Sequence, residues 1–120
     1  MPDKSKYDLE ERTAKLGESI IIFLKKVPPS DINKPLISQL VRCATSIGAN
    51  YSEADDAESK TDFRHKIGIC KKESRETKHF LRMLAASNPE LKDQLRPLWQ
   101  EANEINLIFN SIFHKVSSNI

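Results

Sequence analysis

The chain has 120 residues, enough for one domain with one core. Its make-up, 30% charged and 38% hydrophobic, fits a helical protein with long polar faces or an oligomer of small subunits. A net charge of +2 excludes a whole-molecule basic signature, no apolar run reaches the length of a membrane span, and the charged start, MPDKSKYDLEERTAK, does not read as a secretory signal.

Four segments place apolar or small residues at alternating steps of four and three, the period of packed helices. The first helix is predicted over 8–27, with a seam of Leu9, Thr13, Leu16, Ile20, Phe23 and Val27, and the prolines of PPSDIN end it. The second, over 34–56, carries Pro35 in its first turn and a seam of Ile37, Leu40, Ala44, Ile47, Tyr51 and Ala54. The third, over 60–86, opens on Ser59, with Asp62 three residues later as in a capping box. Its seam is Phe63, Ile67, Cys70, Ser74, Thr77, Leu81 and Leu84. AASNPE breaks the chain again, with Asn88 as a cap and Pro89 opening the fourth helix, over 89–117. Leu91, Leu95, Leu98, Ala102, Ile105, Phe109, Ile112 and Val116 form the last seam, and Pro97 predicts a kink, or a short helix followed by a long one starting near Arg96. Short connections make neighbours antiparallel, so the expected fold is a single all-α domain, an up-down-up-down four-helix bundle. Cys43 and Cys70 lie 27 residues apart without metal-ligand spacing and read as reduced core thiols of a cytoplasmic protein.

LISQLVRCATSIGANYSEADDAESKTDF, followed by HKIGICKKESRETKHFLRML, resembles the bacterial four-helix-bundle family named for reading frames in intervening sequences of 23S ribosomal RNA genes. Gln39, Arg42, Ser46, Asn50, Glu53, Phe63, Lys72, Glu73, Glu76 and Leu81 are among the matching residues, while Gly48 and Cys70 depart from many members. The resemblance implies a left-handed bundle and, as in characterised relatives, a ring-shaped homopentamer. One relative is the accessory protein of diversity-generating retroelements, which binds a reverse transcriptase and nucleic acid through a basic surface. A reverse-transcriptase-like protein is therefore an expected alternative partner.

The residues themselves offer little for catalysis. There is no Gly-rich phosphate loop, nucleophile elbow or Cys-x-x-Cys pair, and His65, His79 and His114 fall at no metal-ligand spacing. No enzyme activity, metal or cofactor is expected. Glu73 and Glu76 form an i, i+3 carboxylate pair, but without a cleft signal they do not read as an acid–base dyad. They flank the third seam, as Gln39, Arg42, Ser46, Asn50 and Glu53 flank the second. A polar network across these two helices is expected, with Arg42 on Glu73 or Glu76, and it either fixes helix register or forms a partner site.

The third helix also carries most of the positive charge. From Lys60 to Arg82 there are eight Lys or Arg against three acids, a local net of +5. Arg64, Lys71, Arg75, Lys78 and Arg82 follow the seam's own stepping, rotated off it, and make a basic ridge with Lys72 beside it. Such a stripe is the footprint of phosphate binding, to RNA or DNA, or else a solvated face. The side chains are expected to face away from the seam. No aromatic residue interleaves the ridge along the helix, which argues against base stacking. The acidic EADDAE stretch could neutralise part of it. Ile21, Ile22 and Leu24 on the first helix, and Trp99, Leu107, Ile108 and Phe113 on the fourth, lie off their seams and point to a homo-oligomer, with no membrane involved. A protein-docking module without nucleic-acid binding is the competing class.

Overall fold

The computed structural model of the protein describes residues 8–117; the charged start, and the reading of it as no leader, lie outside the described residues. Four helices pack as an all-α bundle: α1 (Leu9–Leu24), α2 (Asn33–Asp55), α3 (Lys60–Ser87) and α4 (Lys92–Ser117). Consecutive helices are antiparallel neighbours. Arg42 on α2 meets Glu73 on α3, whereas Glu53, further along α2, meets Lys66, earlier in α3.

The helix starts follow from local chemistry. Asp8 accepts the Glu11 N–H at 3.1 Å and Ser59 accepts the Asp62 N–H at 3.0 Å, each satisfying a donor that the first turn leaves orphaned. α1 stops at Leu24, three residues short of the sequence expectation. Asn88 makes no side-chain cap bond to the turn that follows it; its amide donates instead to the Leu84 carbonyl at the end of α3, at 2.9 Å. Its amide exchanges paired hydrogen bonds with Asn33, 2.9 Å in each direction, and this buried pair ties the end of α3 to the start of α2. The fourth helix also differs from expectation near its start. A 3-10 turn, Pro89–Leu91, leads into α4 at Lys92, and α4 then runs through Pro97. Asp93 and Pro97 are both exposed, so the Asp93 carbonyl that finds no N–H at Pro97 has water within reach.

All four predicted seams turn inward. Ile20, Leu40, Ile47, Ile67, Leu81, Leu84, Ile105 and Phe109 are fully buried. α1 leans mainly on α2, where a Cβ added at Gly48 would stand 3.2 Å from Thr13 Oγ1. Glycine there lets the two backbones approach closely. A bidentate pair, Arg12 to Glu101 at 2.8 Å for both bonds, joins α1 to α4 and holds the guanidinium above its usual pKa. Of the apolar residues read as off-seam, Leu24 is buried and Ile108 and Phe113 pack partly against the core. Ile21, Ile22, Trp99 and Leu107 remain exposed, as does Ile32.

Candidate functional site

α3 lies between α2 and α4, and its two flanks differ in kind. Towards α2, Arg42 reaches three partners: Gln39 Oε1 at 3.1 Å, Glu73 Oε2 at 3.1 Å and Glu76 Oε2 at 3.0 Å. The Glu73 side chain is 6% exposed while Arg42 is 50% exposed, so the guanidinium stands at the rim and covers a carboxylate inside. Its hydrogen bond to Glu76, helped by both carboxylate charges, outweighs desolvation and raises the Arg42 pKa. Asn50 and Glu53 do not join this cluster. The Asn50 amide donates to Ser46 on its own helix at 2.9 Å, and Glu53 accepts from Lys66 at 3.2 Å.

Two thiols lie in the same α2–α3 interface. Cys70 Sγ donates to the Ile47 carbonyl at 3.5 Å, and burial pushes its pKa up to about 12. Burial raises Cys43 as well. Both are free and fully buried, so neither has the exposed thiolate that reactive cysteines require.

Towards α4, the basic side chains meet rings and amides. The Arg64 guanidinium lies 3.9 Å from the Phe113 ring centre and Lys71 Nζ lies 4.8 Å from it. Lys78 Nζ donates to Asn103 Oδ1 at 3.0 Å and stands 5.6 Å from the Trp99 ring centre. These are cation–π distances. Gly68 makes the first contact possible: a Cβ there would sit 3.1 Å from Phe113 Cε2, so glycine leaves room for the ring between Arg64 and Lys71. Asn106 fixes the backbone at mid-ridge, its amide donating to the Lys71 carbonyl and to Ser74 Oγ, both at 2.9 Å.

The ridge therefore divides. Lys72, Arg75 and Arg82 are exposed, whereas Arg64, Lys71 and Lys78 are half-buried against α4 and do not all face away from the bundle. The expectation of a ridge without aromatics holds along α3 alone; α4 supplies Phe113 and Trp99 from the side. Sequence spacing within one helix could not show this, although Gly68 between Arg64 and Lys71 was a signal that something large passes there. The acid at Glu53 faces Lys66 on the opposite flank and does not neutralise the ridge. His65, His79 and His114 are exposed, and among the described residues no group of His, Cys, Asp and Glu could hold a metal ion. Nor is any described helix long and apolar enough to cross a membrane.

Fold and surface together define a small all-α bundle protein with one charge-paired and one open basic flank on α3. The chain matches the model of the 23S rRNA-intervening sequence protein family over residues 5–111 and belongs to that family. It is similar to a crystal structure of a protein of unknown function from the S23 ribosomal protein family of Bacteroides thetaiotaomicron, at 29% identity and a TM-score of 0.75 over 87% of this chain and 96% of that one. A comparison with curated proteins finds no match.

Proposed function

We propose that the protein is a non-enzymatic, oligomeric module of the cytoplasm that binds nucleic acid, RNA foremost, through the α3 ridge. The observation that carries this reading is where the acids go. Glu73 and Glu76 both turn to Arg42 and Glu53 turns to Lys66, so these three acids are engaged on the other flank. Lys72, Arg75 and Arg82 reach into solvent on the ridge side, and Lys71 and Lys78 are held by neutral partners that leave their charge in place. The buried free thiols suit a reducing compartment.

Ile22 at 62% and Leu107 at 58% exposure are the side chains assigned to contacts between copies, with a homopentameric ring as the assembly. A ring repeats the ridge on every subunit and raises avidity without new contacts. Light scattering on the purified chain checks this part, and a monomer at micromolar concentration contradicts it.

Binding itself is tested by salt. The logarithm of affinity should fall with the logarithm of salt concentration by roughly 0.7 per contacted phosphate for a single strand and about 0.9 for a duplex. Lys72→Glu with Arg75→Glu should abolish retention of RNA at low salt while helicity and oligomer size stay unchanged. Unchanged retention by that variant returns the ridge to a solvated face and favours a protein-docking role.

A further inference from the structure

At the end of the ridge, α3 and the start of α4 enclose a groove of about 320 Å³. Leu81, Leu95 and Trp99 give it an apolar lining, and Arg82, Lys92 and Arg96 supply cations around it. Trp99 is 37% exposed, a large flat side chain half open to solvent, with Lys78 also close to its ring. Arg82 belongs to both features, so the groove continues the ridge.

We propose that this groove takes one unstacked base of a single-stranded nucleic acid, stacked on Trp99, with the flanking phosphates held by Arg82, Lys92 and Arg96. The proposal rests on the nucleic-acid reading above and narrows it from any polyanion to a single strand. Three observations favour this occupant. First, the site joins an aromatic face to several separate cations, and a nucleotide within a strand presents a flat ring with a phosphate on either side. A fatty acid brings one charge at one end and leaves the other cations unused. Second, Lys71, Arg75, Lys78 and Arg82 recur once per helical turn, about 5.4 Å, comparable with successive phosphates of an extended strand. That row leads the backbone to the groove. Third, the cations are available: Arg96 is engaged by Asp93 at 3.2 Å, but both groups are exposed and such a pair opens at little cost. Counting Asp93, the three cations leave two positive charges at the groove. A base inside a duplex cannot reach Trp99 without leaving its stack, so duplex binds only along the ridge.

Trp99 is the chain's single tryptophan, so its fluorescence reports on this groove alone. The full chain is titrated with a short oligothymidylate, with an abasic strand of the same length and with a duplex. Oligothymidylate should quench Trp99 and bind about tenfold more tightly than the abasic strand, the size of one base–aromatic stack; abasic strand and duplex should bind without quenching. Anisotropy of the labelled strands then shows Trp99→Leu losing the tenfold preference and Trp99→Phe keeping most of it, with helicity unchanged by circular dichroism. Equal binding of base-bearing and abasic strands without quenching overturns the groove and leaves the ridge standing. No binding of any strand overturns both. Quenching by an acidic amphipathic peptide, with none by oligothymidylate, also overturns the proposal and makes the groove a protein site.

Discussion

Along its α2 flank, α3 sets each cation against a carboxylate: Arg42 on Glu73 and Glu76, and Lys66 on Glu53. Along its α4 flank, Lys71 and Lys78 meet the rings of Phe113 and Trp99 and the amide of Asn103. Both arrangements hold long side chains in place, but their external fields differ. A paired carboxylate cancels its cation at short range, whereas a ring or amide positions the cation and leaves its charge to act outward. One flank pairs its charges within the bundle; the other leaves Arg75 and Arg82 exposed.

The largest expected effect breaks the inner flank with alkali. The Cys70 pKa is raised from 9.0 to about 12, so the folded state holds this proton more tightly than the unfolded chain. The resulting stability is complete below pH 9 and is lost as pH rises towards 12, at up to about 1.4 kcal/mol per pH unit. Urea unfolding at about pH 8 and about pH 11 should show a larger loss for the natural chain than for Cys70→Ala, which lacks the thiol. Equal losses would place the alkaline sensitivity elsewhere.

Arg42→Ala should come next, at about 2 kcal/mol. It strands the carboxylate of Glu73 inside the seam, but the half-exposed arginine leaves a path for water, so the cost falls below that of a fully buried pair. Replacing both members, Arg42→Met with Glu73→Leu, should recover most of that loss. Neither variant should change nucleic-acid affinity. If the double variant is as unstable as the single one, the seam depends on more than charge pairing.

On the other flank, Phe113→Leu should cost only about 1 kcal/mol, since the ring is half-buried and its cation contacts are worth a fraction of that each. It should, however, release Lys71 from its fixed position and weaken strand binding measurably. Binding that is unchanged would mean that the ring serves packing alone.

The seams were legible because buried positions recur with the helical period, and each residue of the first predicted seam is buried, from Leu9 to Phe23 in α1 and Val27 just beyond its end. Arg42 facing Glu73 and Glu76 was legible for the same reason, as polar positions beside two seams that meet. Asn50 and Glu53 share that stripe, yet a stripe says nothing of which neighbour lies within reach at each level. Pro97 does not end α4: the helix runs on through it, and the exposed Asp93 leaves the carbonyl that loses its N–H partner open to water. Of the aromatic side of the ridge, the sequence carried only the hint of Gly68 and not the identity of the rings. That side arises from the register between α3 and α4, which sets Phe113 beside Gly68 and Trp99 near Lys78, residues far apart in the chain. The pairing of Asn33 with Asn88 is hidden by the same distance.

The contrast between the flanks is tested most directly by removing one positive charge from each and comparing salt slopes. Lys66→Gln takes a charge from the carboxylate-paired flank and Arg75→Gln takes one from the open flank, so net charge changes equally. For binding to single-stranded RNA, Arg75→Gln should lower the magnitude of the slope by roughly 0.7, one phosphate contact, and Lys66→Gln should leave it unchanged. Equal slopes in the two variants would show that the strand responds only to total charge and would contradict the division of α3 into an inner and an outward flank.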